Sequence, residues 1–255
     1  MNTKSTCFSA ITALVTAFSV EAQYTEVDIS SQANADIQTY TDGGNYQLGG
    51  TTLTVAGVPF GLAELGGNPA STGVVQSGGG PFDYTFSVPS GTQATALYTL
   101  MNTAFGQPGV NEGSIVVTGT DGETATLTLT EGVNIRDHNN DGFVNTLSDP
   151  TVVSTYFQGG APTTSGDIQT RLDRQELNLP SSFDGDTIAS ITFEGYAQGA
   201  PNGSAFLAGM TLSDSVPEGS LPFPYIAGLF LAMLAVARIS RKSVEMKLAV
   251  VCSDR

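Results

Sequence analysis

Apolar and polar residues alternate with a period of two along much of the chain. Phe82, Tyr84, Phe86 and Val88 alternate with Asp83, Thr85 and Ser87, and Ala125, Leu127 and Leu129 alternate with Thr124, Thr126, Thr128 and Thr130. Successive side chains of a strand point to opposite faces, so both stretches predict strands with one buried face. Further strands are expected over residues 24–29, 51–58, 94–101, 114–118, 151–157, 172–179, 187–193 and 205–212. Each is rich in β-branched and aromatic residues or Leu, and each is bounded by Gly, Pro, Asn or Asp. With no helical periodicity of useful length between them, the economical architecture is all-β, an antiparallel β-sandwich of the jelly-roll kind. Residues 61–80 are the least regular stretch and are expected to form a loop, either mobile or ligand-binding.

The two ends break this pattern. Lys4 is followed by a predominantly apolar run over residues 7–20, and Val20-Glu21-Ala22 places small residues where a signal peptidase reads them. Residues 1–22 therefore predict a secretion signal, helical while it lasts, cut between Ala22 and Gln23. A buried N-terminal helix is the other reading, and the run lacks the amphipathic pattern such a helix would show. After Leu212 come Val216-Pro217-Glu218-Gly219-Ser220, an apolar run from Tyr225 to Ala237, and then Arg238, Arg241 and Lys242. Polar punctuation, an apolar helix and a positive stop make an anchoring logic, with the basic end on the cytoplasmic side. Even counted from Leu221 the run has 17 residues and contains Pro222 and Pro224, against the roughly 20 a permanent span needs. A transient signal fits better. The organisation expected is a signal peptide over 1–22, an ectodomain over 23–213, an anchoring segment over 214–242 and a trailing piece over 243–255.

Charge separates these parts further. The formal net charge is -15, yet from Gln23 to Ser215 there are 20 acidic residues against three basic ones, Arg136, Arg171 and Arg174. Such a domain repels phosphate backbones, which argues against nucleic-acid partners, and favours weak association with divalent cations. The cysteines, Cys7 and Cys252, lie in the terminal segments. The ectodomain must rest on its core and its backbone pairing without an internal disulfide.

Candidate chemistry is sparse. With His138 the one histidine, a multi-His zinc or iron site is impossible and a Ser-His-Asp triad has a single candidate base. Asp137-His138-Asn139-Asn140-Asp141-Gly142, with Asn145 three residues on, follows the start of a calcium loop: Asp137, Asn139, Asp141 and Asn145 would offer hard oxygen ligands, and Gly142 the sharp turn. Ser148 then stands where a bidentate carboxylate belongs. The competing reading is a tight turn in which Asn140, Asp141 and Gly142 take positive φ angles. Arg171 and Arg174 suggest either a cationic, sugar-stacking patch with Tyr196 or cross-strand ion pairs. Trp is absent, which weakens carbohydrate stacking, although several tyrosines could serve. Paired carboxylates for glycoside hydrolysis need a geometry that spacing within a sandwich does not supply.

The tail resembles a PEP-CTERM sorting signal, through Val216-Pro217-Glu218, the apolar run, and Arg241-Lys242. The resemblance covers 27 residues, from Val216 to Lys242. It implies recognition and cleavage by an exosortase-like transpeptidase after export by signal peptidase. The body is similar to a group of PEP-CTERM ectodomains through residues 98–106, Asn134-Ile135-Arg136-Asp137-His138 and Arg171-Leu172-Asp173, a resemblance that implies a galactose-binding-like jelly-roll sandwich. Together these imply a non-catalytic cell-surface or extracellular-matrix protein, membrane-associated through its tail, with extracellular polysaccharide as a candidate partner. No cofactor is expected apart from calcium. A surface-displayed carbohydrate-binding module is the alternative, and a carboxylate-dependent glycoside hydrolase the third reading.

Overall fold

The computed structural model describes residues 22–40, 46–76, 82–139, 144–163, 170–196 and 204–214. The expected signal and sorting segments lie outside them, as do Asn140 and Asp141. In chain order the elements are β1 (Tyr24–Val27), β2 (Ala35–Asp36), a single helical turn α1 (Ile37–Tyr40), β3 (Thr52–Val55), β4 (Val58–Gly61), β5 (Ala63–Leu65), β6 (Asn68–Gln76), β7 (Phe82–Ser87) and β8 (Ala96–Ala104). There follow β9 (Asn111–Gly119), β10 (Thr124–Thr130), β11 (Val153–Gln158), β12 (Ala161–Thr163), β13 (Arg171–Asn178), β14 (Ile188–Gly195) and β15 (Ser204–Ser213).

Nine strands make one sheet in the order β12-β11-β13-β8-β15-β6-β2, with β1 added on β15 and β5 on β6. Four make a second sheet, β10-β9-β14-β7, and β3 pairs with β4 as a separate hairpin. The pairings are antiparallel, and the chain is an all-β sandwich as its alternation predicts. Between the sheets, Leu97 and Met101 of β8 and Leu207, Met210 and Leu212 of β15 meet Ile115 and Val117 of β9 and Ile191 and Phe193 of β14.

The large sheet has a second buried face. Tyr98, Leu100, Phe206 and Ala208 pack under Leu53, Val55, Val58 and Phe60 of the hairpin and Ile37 of α1. Strand β8 is consequently buried at every position, which is why residues 94–101 read as a continuous apolar run and not as an alternation. Strand β15 keeps its two faces in order with a bulge between Leu207 and Gly209. One extra residue there lets Leu207 and Met210, three apart, face the same core.

Two expectations are corrected. Residues 51–58 are not one strand: Ala56 and Gly57, at φ 47 and 82, turn the chain between β3 and β4, a pair of positive φ values that suits a two-residue hairpin loop. Residues 61–80, expected as a loop, contain β5 and β6, and β6 pairs with β15 inside the large sheet. Small and polar residues conceal that strand, because Gly73, Val74 and Val75 are covered on both faces and show no alternation.

Candidate functional site

The segment joining β10 to β11 carries the chain from the small sheet to the large one. Strands β8 and β13 pair as far as Met101 and Asp173, then part, and residues 136–139 enter the gap. On one side Thr103 donates its N–H to the Arg136 carbonyl at 2.9 Å and accepts from the His138 N–H at 2.9 Å; on the other the Arg171 N–H reaches the His138 carbonyl at 3.2 Å. Asn139 bridges Thr170. The inserted piece is held like a short extra strand.

Its side chains complete the joint. Arg136 grips Asp173 with two bonds, Nε to Oδ2 at 2.7 Å and Nη2 to Oδ1 at 3.0 Å. It also donates to the Asn145 carbonyl and to Ser154 Oγ, both at 2.6 Å. Asn102 closes the group, Nδ2 donating to Asp173 Oδ2 at 2.9 Å and Oδ1 accepting from the Asp173 N–H at 2.9 Å. Burial works against the charge on Arg136, but the bonds and charge of Asp173 outweigh it and leave the pKa raised. A bidentate guanidinium–carboxylate pair with its remaining donors satisfied can sit in a dry interior.

Arg171 is 1% exposed. Its Nε and Nη2 donate to the Asp137 carbonyl at 3.0 and 2.7 Å, and Nη2 also reaches the Asn139 carbonyl at 3.3 Å and Asn145 Oδ1 at 2.7 Å. Burial first, and then the nearby charge of Arg136, lower its pKa. Three of the four residues that suggest a calcium loop, Asp137, Asn139 and Asn145, are thus brought together, and the cation among their oxygens is a guanidinium. Asp141 lies outside the described residues. The Asp137 carboxylate accepts two backbone N–H groups, from Phe105 and Asn139, each at 2.7 Å. His138 Nδ1 lies 3.0 Å from the Tyr46 hydroxyl, so the one histidine is tied into the same joint.

A surface patch of Arg171, Arg174 and Tyr196 does not form. Both arginines are buried, Arg174 lying 4.9 Å above the Tyr98 ring. Tyr196 belongs to the other sheet's end, where its hydroxyl donates to Glu194 at 3.1 Å.

Sequence reasoning passed over two further buried acids, Glu112 and Glu131, each 1% exposed. Glu112 sits at an irregularity of β9, where Asn111 and Gly113 face consecutive residues Thr130 and Leu129. Glu131 follows β10 directly. Thr103 Oγ1 donates to Glu131 Oε2 at 2.9 Å, but Glu131 Oε1 and both Glu112 carboxylate oxygens have no hydrogen-bond partner. The Gln107 backbone amide acts to lower the Glu112 pKa, and the Asp137 backbone amide that of Glu131, neither within hydrogen-bond geometry of the three unpartnered oxygens. Burial pushes Glu112 up to about 7 and Glu131 up to about 8, the latter raised also by the charges of Glu112 and Asp137. The Glu131 carboxylate lies directly against Gly106, where a Cβ would collide with it.

An open groove of about 490 Å³ lies elsewhere, lined by Asp28, Ser30, Ser31, Leu62, Ala63, Glu64, Gly66 and Gly67. It presents no aromatic ring for a sugar to stack on. Hydrogen bonds from Ser30 hold Asp28 below the ordinary carboxylate range, the wrong direction for a proton donor in glycoside hydrolysis. Among the described residues, no three His, Cys, Asp or Glu side chains converge on a metal position. Compared with family models and with curated proteins, the chain matches none.

Proposed function

We propose that this chain is an exported, non-catalytic surface or extracellular-matrix protein, released from its leader after Ala22 and sorted through the PEP-CTERM-like tail beginning at Val216. One observation carries the reading: the residues beside the two expected cuts are bonded to each other. The Gln23 N–H donates to Asp214 Oδ1 at 2.9 Å and the Asp214 N–H to the Gln23 carbonyl at 3.2 Å, extending the pairing of Tyr24 with Ser213. Gln23 and Asp214, each close to an expected cut, thus lie together. A leader and an anchor leaving side by side would hold the sandwich by one end and leave its remaining surface facing outward.

The rest of the site supports a structural role. The residues that carry the resemblance of the body, Arg136, Asp137, His138, Arg171 and Asp173, meet in the joint between β8 and β13, each engaged by hydrogen bonds to neighbouring strands. The test is mass spectrometry of both mature termini of the protein recovered from its native envelope. An N-terminus at Gln23 and a C-terminus between Val216 and Ser220 are expected; a chain retained through Arg255 would overturn sorting.

A further inference from the structure

We infer that Glu112 and Glu131 form the carboxylate half of a divalent-cation site, best suited to calcium, at the end of the inter-sheet core beneath the 105–110 loop. This goes beyond the sorting reading and does not depend on it. The two side chains come from β9 and from the residue just after β10, and they offer three oxygens without partners, Glu112 Oε1 and Oε2 and Glu131 Oε1, on residues 1% exposed. Buried carboxylates without donors are rare, because each forfeits its hydration and receives nothing for it. A hard cation with oxygen ligands is the partner that answers three free carboxylate oxygens at once, with main-chain carbonyls and water completing six to eight ligands. Arg136 and Arg171 cannot take that role, since both are engaged on the Asp173 and Asn145 side.

The covering loop is set for access. Phe105, Gln107, Pro108 and Gly109 are exposed, and Gly106 in the same loop lies against the Glu131 carboxylate. Phe105 is held at φ 66, a left-handed conformation disfavoured for a bulky residue, while its N–H is bonded to Asp137 Oδ2 at 2.7 Å. Strain of this kind collects where a segment is shaped for a ligand. The charged groups acting on Glu131 are Glu112 from β9 and Asp137 from the crossing segment; β8 presents the neutral Thr103.

The experiment is a calcium titration of the full chain in detergent, by melting temperature and calorimetry at pH 8 after chelator treatment. Expected are one bound ion and a rise of about 5 °C or more at millimolar calcium, abolished in Glu112→Gln and in Glu131→Gln but kept in Asp141→Asn. Each Gln variant removes charge without changing shape, so if one fails to fold the other decides. The proposal is overturned if the wild-type protein binds no calcium, if binding survives both Gln substitutions, or if only Asp141→Asn abolishes it.

Discussion

Two charged clusters lie back to back on the same strand, and they have met burial in opposite ways. Along β8, Asn102 points to the face of Leu100 and joins Asp173 and Arg136, whereas Thr103 points to the inter-sheet face of Met101 and meets Glu131. In the arginine joint each cation has an anion or a set of carbonyl oxygens around it, and each carboxylate oxygen of Asp173 is engaged. In the glutamate pair three oxygens go unanswered. Proximity of charges in a low dielectric is therefore not what makes a buried cluster stable; matching of donors to acceptors is. The joint fastens the crossing segment between β8 and β13 of the large sheet, and the pair stores a demand for a proton or a cation.

The strongest way to break this contrast is to make the joint resemble the pair. Asp173→Ala would leave Arg136 buried at 10% side-chain exposure with its anion gone, and removal of one partner of such a pair costs about 3–5 kcal/mol. Urea denaturation should show a large fall in midpoint, with Asp173→Asn intermediate because it keeps the bond to Asn102. A loss under about 1 kcal/mol, the size of an exposed ion pair, would mean that the joint contributes little.

The converse experiment gives the glutamates what they lack. Both have folded pKa values above the ordinary 4.5, at about 7 and about 8, so the folded protein holds protons that the unfolded chain has released. Their contribution to stability is fully present below about pH 4.5 and is lost as the pH rises through 7 to 8, with other carboxylates acting in the opposite sense at the acid end. In chelator, Glu131→Gln should flatten that alkaline loss and raise stability at pH 8 by on the order of 2–3 kcal/mol. Equal pH profiles for variant and wild type between pH 5 and 8 would show that Glu131 does not carry it.

How much of this could be read from the chain follows the same division. Strands β7 and β10 were legible because one face of each is wet, and alternation records that difference at Phe82, Asp83, Tyr84 and Thr85. Strand β6 was not, since Gly73, Val74 and Val75 are buried on both sides and their neighbours are small. The joint was half legible. The spacing of Asp137, Asn139 and Asn145 suggests oxygens turned toward one point, and in the structure oxygens of all three meet the guanidinium of Arg171, 26 residues beyond Asn145, a long-range contact that no local spacing encodes. Glu112 and Glu131 left a faint trace only: each interrupts an otherwise apolar or threonine-rich strand beside a glycine, Gly113 and Gly132, where a bulge or a strand end permits an inward-pointing acid.

The smallest expected effect bears on the loop that separates the pair from solvent. Phe105 is 51% exposed and sits at φ 66, a left-handed turn costing an ordinary residue about 1–2 kcal/mol. Asn tolerates that conformation and, unlike Gly, adds little freedom to the unfolded chain. Phe105→Asn keeps the backbone N–H that bonds Asp137 Oδ2, so the loop should close unchanged and stability should rise by about 0.5–1 kcal/mol, seen as a melting shift of a few degrees at pH 5, where the glutamates are protonated. A fall instead would assign the ring a packing role over the pair, and the strain at Phe105 would then belong to the arginine joint's side of the contrast, as the cost of seating Asp137.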